Sequence, residues 1–230
     1  VITSHAVENI QLEEADAVKA FVGEYHPEHA LIGRETPLAV GPYDVSPYYM
    51  EHKVQQAEAM KNAKRAILDV AADFEKTFGR KYGFFEEYQM EDAEVAIVLI
   101  GSTAGTAKAC IDQLRAAGRK VGLIKIRVFR PFPAEELAQA LSHVKAVAVM
   151  DKSEGFSGCG GPIYAETCAA CYDLETRPVL IDVVYGLGGR DVATEDIARV
   201  YDHLFLMAEN GGKGPKYIHM GQRSSEKEVL

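Results

Sequence analysis

No stretch of this chain approaches the roughly 20 consecutive apolar residues that a membrane-crossing helix needs, and the pattern of its first residues is not expected to act as a signal peptide. Positive charge is in short supply. Lys and Arg number 25 against 34 Asp and Glu, a formal charge of −9. That balance excludes a basic face for nucleic acid or an anionic membrane surface. Cysteine occurs four times, as Cys110, Cys159, Cys168 and Cys171, a usage that points to a reducing, cytoplasmic setting. Only Cys168 and Cys171 show CxxC spacing. Without a second pair they cannot supply the four thiolates of an iron–sulfur cluster, so all four are expected to be buried thiols acting as small hydrophobes. The seven histidines are scattered, and His26 and His29, the one close pair, sit in a loop as solvated residues. Metal ligation by this chain is therefore not expected. An initiator Met is absent, consistent with a fragment or a processed piece.

What is present is ample material for a core. The 230 residues are 47% hydrophobic and 26% charged, enough for one domain with an extension or two small ones. From Asp92 onward the pattern alternates between short apolar runs and helical spacing. Val95 to Ile100 is an unbroken apolar run, as in a parallel strand covered on both faces. The turn GSTAGT follows at Gly101 to Thr106. Ala107, Ile111, Leu114 and Ala117 then recur at helical spacing, and Gly118 closes that helix. Strands are expected over Val121–Phe129, Ala146–Met150 and Val179–Tyr185, with helices over Ala134–Leu141, Pro162–Leu174 and Thr194–Met207. The result is an open α/β sheet of four mostly parallel strands covered by helices on both faces. Strand order cannot be read from the pattern.

Upstream, Tyr48 to Phe78 reads as one long amphipathic helix. Ala57, Met60, Ala63, Ile67, Val70 and Phe74 form a stripe that should pack on protein, either the chain's own domain or a partner's surface. Gly79 stops it. Residues 22–47, rich in Pro, Gly and His, read as a connector.

Several long, ordered motifs resemble a known family. They are ITSH at Ile2 to His5, EHKVQQAEAM from Glu51, RKYGFFEEY from Arg80, IGSTAGTAK from Ile100, KVGLIKIRVFRPFP from Lys120 and YGLGGRD from Tyr185. Together they resemble the alpha subunit of pyruvate:ferredoxin oxidoreductase, within the wider 2-oxoacid:ferredoxin oxidoreductases. The resemblance spans nearly all of the chain apart from its last twenty or so residues. It implies that residues 1–21 end a preceding thiamine-pyrimidine-type domain and that 22–91 hold the connector and long helix. Residues 92–209 would form a transketolase C-terminal-like α/β domain, followed by a tail over 210–230. It also implies a parent enzyme that decarboxylates pyruvate on thiamine diphosphate, reduces ferredoxin through [4Fe–4S] clusters and forms acetyl-coenzyme A and CO2. Magnesium would accompany the thiamine cofactor. The expected partners are a thiamine-binding beta subunit, a gamma subunit, a ferredoxin-like delta subunit and ferredoxin itself.

Three turns at strand ends are the places where ligands bind in such sheets. Gly101 to Thr106 could cradle a phosphate at a helix start, but it matches no nucleotide fingerprint and is explained by tight strand-to-helix packing. Asp151 to Gly161, reading DKSEGFSGCGG, could admit a phosphate beside Lys152 or dock on a neighbouring subunit; these readings stay level. In YGLGGRD, Gly188, Gly189, Arg190 and Asp191 could clamp a substrate carboxylate, yet a subunit interface needs the same residues. Because the resemblance places 2-oxoacid recognition in the preceding domain, the interface role is expected. Thr3-Ser4-His5 could approach that domain's active site. No catalytic, cofactor-binding or metal-ligating residue is assigned to this chain, and the alternatives are a stand-alone coenzyme A or nucleotide module and a non-catalytic interaction domain.

Overall fold

The computed structural model describes residues 11–33, 35–41 and 43–223, in two units divided between Gly83 and Phe84. The ITSH motif, with the reading made for Thr3 to His5, lies outside the described residues.

The larger unit is an open α/β sheet of six strands, ordered β1-β3-β2-β4-β5-β6. These are β1 (Phe85–Tyr88), β2 (Val95–Ile100), β3 (Val121–Ile126), β4 (Ala146–Asp151), β5 (Val179–Val184) and β6 (Tyr217–His219). All neighbours are parallel except β1, which runs antiparallel to β3 with Phe85 opposite Ile126. Four strands were expected from the sequence. The two additions are edge strands, of four and three residues, and are too short and polar to show an apolar run: FEEY and YIH. β6 falls within the stretch expected to be a tail. The strand expected over Val121–Phe129 ends at Ile126, and Arg127 and Val128 instead donate their amides to the Phe84 carbonyl (2.9 Å each).

Both faces are covered, so β2, at the centre, is apolar at every position. On one side Val95, Ile97 and Leu99 of β2 pack with α3 (Thr103–Ala116) and α6 (Thr194–Glu209). On the other, Ala96 and Val98 pack with α4 (Ala134–Leu141) and α5 (Pro162–Cys171). The two-residue period of the strand divides one run between two cores. α5 ends three residues earlier than its apolar pattern suggests, and the amide of Leu174 turns back to the Cys171 carbonyl (3.2 Å). α6 is not capped by Thr194, its first residue. Asp196 accepts the Ala193 amide (2.8 Å) instead.

The smaller unit holds α1 (Ala15–Val22) and α2 (Tyr49–Phe78). α2 matches the expected long helix and ends as expected, with Gly79 left-handed at φ 71° and its amide on the Glu75 carbonyl (2.8 Å). α1 crosses the boundary expected at residue 21. Phe21 packs edge-on against Phe74 and Phe78, with ring centroids 5.7 and 5.3 Å apart. The stripe of α2 runs through Ala63, Ile67, Ala71, Phe74 and Phe78, all half-buried, whereas Val70 is 58% exposed and no residue of the helix is buried.

Candidate functional site

The turns that follow β2, β4 and β5 all lie at one edge of the sheet, where the parallel strands end. The chain goes from β2 outward to β3 and then crosses to β4 on the other flank of β2, so the order reverses between β2 and β4. Open sheets of this kind place ligands at such a reversal, beyond the carboxyl ends.

Gly101 takes φ 91°, a conformation that suits glycine, and α3 begins at Thr103. Tyr185, buried at the end of β5, donates its hydroxyl to Thr103 Oγ1 (3.0 Å), tying the GSTAGT turn to the YGLGGRD turn. Burial pushes the Tyr185 hydroxyl up from its ordinary value, so the phenol stays a donor.

The DKSEGFSGCGG loop is organised by two carboxylates that pattern reasoning did not single out. Asp151 closes β4 and Asp182 sits within β5; only 2% and 1% of their surfaces are exposed. Asp151 Oδ2 accepts the amides of Ile163 (3.0 Å) and Tyr164 (3.1 Å) at the start of α5, while Asp182 Oδ2 accepts the amide of Gly161 (2.9 Å). The helix start is therefore occupied by the protein's own negative charge, which speaks against a phosphate there. The glycines serve this contact: a Cβ at Gly161 would stand 2.3 Å from Asp151 Oδ2, and one at Gly160 would stand 2.1 Å from Asp182 Oδ2. Burial pushes the Asp151 carboxyl up to about 6 despite its two amide bonds, with the Asp182 charge adding to the effect. Asp182 is also raised, chiefly by burial, and among the described residues its Oδ1 meets no donor. The signal available in the sequence was an aspartate closing one apolar run and another interrupting the next.

Beyond those anchors the loop is exposed. Phe156 at its tip is fully accessible. Cys159 is exposed and Cys168 half-buried, which corrects the expectation of four buried thiols; Cys110 and Cys171 are buried. The CxxC pair lies on α5 as expected, and burial raises the Cys171 thiol to about 11, far from a ready thiolate. Glu154 accepts the Tyr217 hydroxyl (2.5 Å) and pairs with His219 Nε2 (2.6 Å), fastening the loop to β6. Those two bonds lower the Glu154 carboxyl. This trio was not legible in the sequence because it depends on the short edge strand.

Arg190 lines a cleft of 320 Å³ with Tyr185, Leu187, His219, Met220 and Gln222. Gly188 and Gly189 lie in a single 3-10 turn, at φ 66° and 81°, and the Lys152 stem lies over Gly186, where a Cβ would meet its Cε at 2.9 Å. Among the described residues no three His, Cys, Asp or Glu side chains are grouped so as to hold a metal ion.

Comparison with known proteins bears directly on this architecture. The model of the pyruvate:ferredoxin oxidoreductase core domain II matches residues 93–197, and that of the thiamine diphosphate-binding region of pyruvate flavodoxin/ferredoxin oxidoreductases matches residues 1–72. Pyruvate synthase subunit PorA of Thermotoga maritima is 46% identical over 87% of this chain and 51% of its own length. The Pyrococcus furiosus subunit of that name is 41% identical over 94% and 53%. Ketoisovalerate oxidoreductase subunit VorA of Pyrococcus horikoshii is 36% identical over 91% and 53%. A solved 2-oxoglutarate:ferredoxin oxidoreductase from Magnetococcus marinus aligns with 70% of this chain and 24% of its own, at 21% identity and a TM-score of 0.46. The two family models and the curated relatives place the chain in the pyruvate:ferredoxin oxidoreductase family, as an alpha-subunit member. It spans about half the length of the curated relatives it matches.

Proposed function

We propose that the chain is part of the alpha subunit of a thiamine-dependent 2-oxoacid:ferredoxin oxidoreductase acting on pyruvate, and that this portion organises the assembly rather than carrying the chemistry. The observation that supports this most is the 46% identity to a pyruvate synthase subunit over 87% of the chain. The reaction is pyruvate, coenzyme A and oxidised ferredoxin going to acetyl-coenzyme A, CO2 and reduced ferredoxin, in the cytoplasm. Thiamine diphosphate with magnesium would stabilise the carbanion left by decarboxylation, and [4Fe–4S] clusters would carry the electrons singly. The residues described here do not fit those groups: no metal-holding cluster is present among them, and the buried carboxylates already bind backbone amides. The beta, gamma and delta subunits of the complex are the partners this reading requires.

The contribution of this chain would be at the carboxyl edge, where Gly188, Gly189, Arg190 and Asp191 would meet a neighbouring subunit. The exposed Gly188 opens the backbone, and the planar Arg190 fork gives several donors at a cleft rim. The complex captured anaerobically through a tag on this chain is expected to reduce viologen dye with pyruvate and coenzyme A. In it, Arg190→Ala should lower the yield of captured partner subunits and leave the KM for pyruvate of the assembled enzyme nearly unchanged. A complex inactive with pyruvate but active with a branched-chain 2-oxoacid would contradict the substrate. An Arg190→Ala complex of normal yield with a greatly raised KM would contradict the interface role.

A further inference from the structure

Arg115, Arg119, Arg127, Arg130 and Arg199 of the larger unit each hold a carboxylate, those of Asp92, Asp202, Glu86, Glu166 and Asp196 in turn. Arg190 does not. Among the described residues its guanidinium has no carboxylate within ion-pair reach, and neither has the ammonium of Lys152. The two cations flank one cleft: Arg190 lines it, and the Lys152 stem crosses its wall at Gly186. Each stem is laid against a left-handed glycine. A Cβ at Gly186 (φ 62°) would meet Lys152 Cε at 2.9 Å, and one at Gly221 (φ 77°) would meet Arg190 Cδ at 3.2 Å and Nη1 at 3.9 Å. Stems packed in this way leave less rotamer freedom to lose when an anion is bound. The floor between them is apolar, with Val184, Tyr185 and Met220 buried. Two carboxylates beside the cleft are already committed, Glu154 to Tyr217 and His219 and Asp151 to the amides of α5. In a chain of formal charge −9, two uncompensated cations over an apolar floor are a local reversal of sign.

We infer that this cleft receives a carboxylate of a neighbouring subunit, an Asp or Glu side chain or a chain end, held between Arg190 and Lys152. The guanidinium fork matches a carboxylate with two parallel bonds, and the ammonium adds a point charge from the other wall. A volume of 320 Å³ is at the small end of ligand sites, which run from about 300 Å³ upward. It suits a side chain better than a whole cofactor. The surround favours a protein as its source: Leu187 is 46% exposed at the cleft, and Phe156 and Tyr217 stand exposed on the loop and strand that Glu154 fastens together. Exposed aromatic and aliphatic groups about a charged centre are the composition of a protein interface, whose apolar contacts keep water from the ion pair. The inference rests on the interface role of Arg190 and adds to it the group that the partner must present.

A water-soluble carbodiimide, which joins a carboxylate and an amine in contact as an amide, tests this on the complex captured anaerobically through a tag on this chain. Peptide mass spectrometry should find Lys152 linked to an Asp, a Glu or a C-terminal carboxylate of another subunit. Arg190→Glu, which repels that group, should lower both the link and the partner captured per tag by about tenfold or more. Lys152→Arg removes the amine and keeps the charge, so the link should vanish while capture stays within about twofold. Acetylation of Lys152 in the isolated 230-residue chain and in the complex separates the two readings. Equal reactivity in both would place Lys152 on free surface, and the interface role and the carboxylate would fall together. Lys152 shielded in the complex but linked to no carboxylate of another subunit overturns the carboxylate and leaves the interface role standing. A link that survives Arg190→Glu undiminished overturns the shared cleft. Protection of Lys152 in the isolated chain by pyruvate or coenzyme A would assign the cleft to a free anion, and the inference would be abandoned.

Discussion

Gly161→Ala is expected to destabilise the chain by about 3 kcal/mol, the sum of overpacking and of weakened bonds to a charged acceptor. The new Cβ would lie 2.3 Å from Asp151 Oδ2 and 2.7 Å from Asp151 Cβ. Asp151 cannot swing away, because it is 2% exposed and its carboxylate holds the amides of Ile163 and Tyr164. The start of α5 would have to move, breaking the Gly161 amide bond to Asp182 as well. For a chain of this size that corresponds to a fall of roughly 6–12 °C in melting temperature. Gly158→Ala in the same loop is the control: its added Cβ meets nothing within 4 Å, so its effect should stay within about 0.5 kcal/mol. Equal melting of the two variants would show that the loop is not pinned by the carboxylates.

The same pair makes stability depend on pH. Burial raises Asp151 to about 6 in the folded chain, whereas unfolded it titrates near its ordinary value of about 4. Between those values the folded state holds a proton that the unfolded state has released. The contribution of Asp151 to stability is thus fullest below pH about 4, falls as pH rises to about 6, and is level above. The loss is of order 2–3 kcal/mol. Asp151→Asn keeps an acceptor oxygen for α5 but cannot ionise, so relative to the parent chain it should gain stability progressively across that window. Asp182, also raised, leaves a shallower slope in the variant. Denaturant melts at pH 4.5 and 7 measure the difference. A parent and variant whose stabilities run parallel between those pH values would show that Asp151 is ionised throughout.

Much of the larger unit was legible because its central strands are buried on both faces. Runs such as VAIVLI and AVAVM have no other economical reading, and the helices between them follow from spacing and glycine stops. The edge strands were not legible. FEEY is polar, three-residue YIH carries no periodicity, and both depend on pairing with β3 and β5 rather than on local preference. The same non-local dependence hid the site. Asp151 and Asp182 are 31 residues apart in the chain and meet only because β4 and β5 are neighbours, with Val149 opposite Asp182. Glycines at 160 and 161 therefore resembled a ligand cradle, when their lack of a side chain makes room for carboxylates. The stripe of α2 was read at nearly its true position, but a periodic pattern says that a face is to be covered without saying by what. Ala57 and Val70, both exposed, lie off that face and Ala71 on it because α2 turns in 3.6-residue steps.

The central claim is that this chain organises an oxidoreductase whose reactive groups lie elsewhere in the assembly. Its most direct test is an assay of the isolated 230-residue chain, purified without oxygen, for iron, acid-labile sulfide and viologen reduction by pyruvate and coenzyme A. Its thiols are spread over α3, the Phe156 loop and α5, and cluster ligation needs about four thiolates brought together. The predicted result is neither iron nor dye reduction from the isolated chain. Stoichiometric iron and sulfide, or dye reduction that requires pyruvate, would contradict the claim.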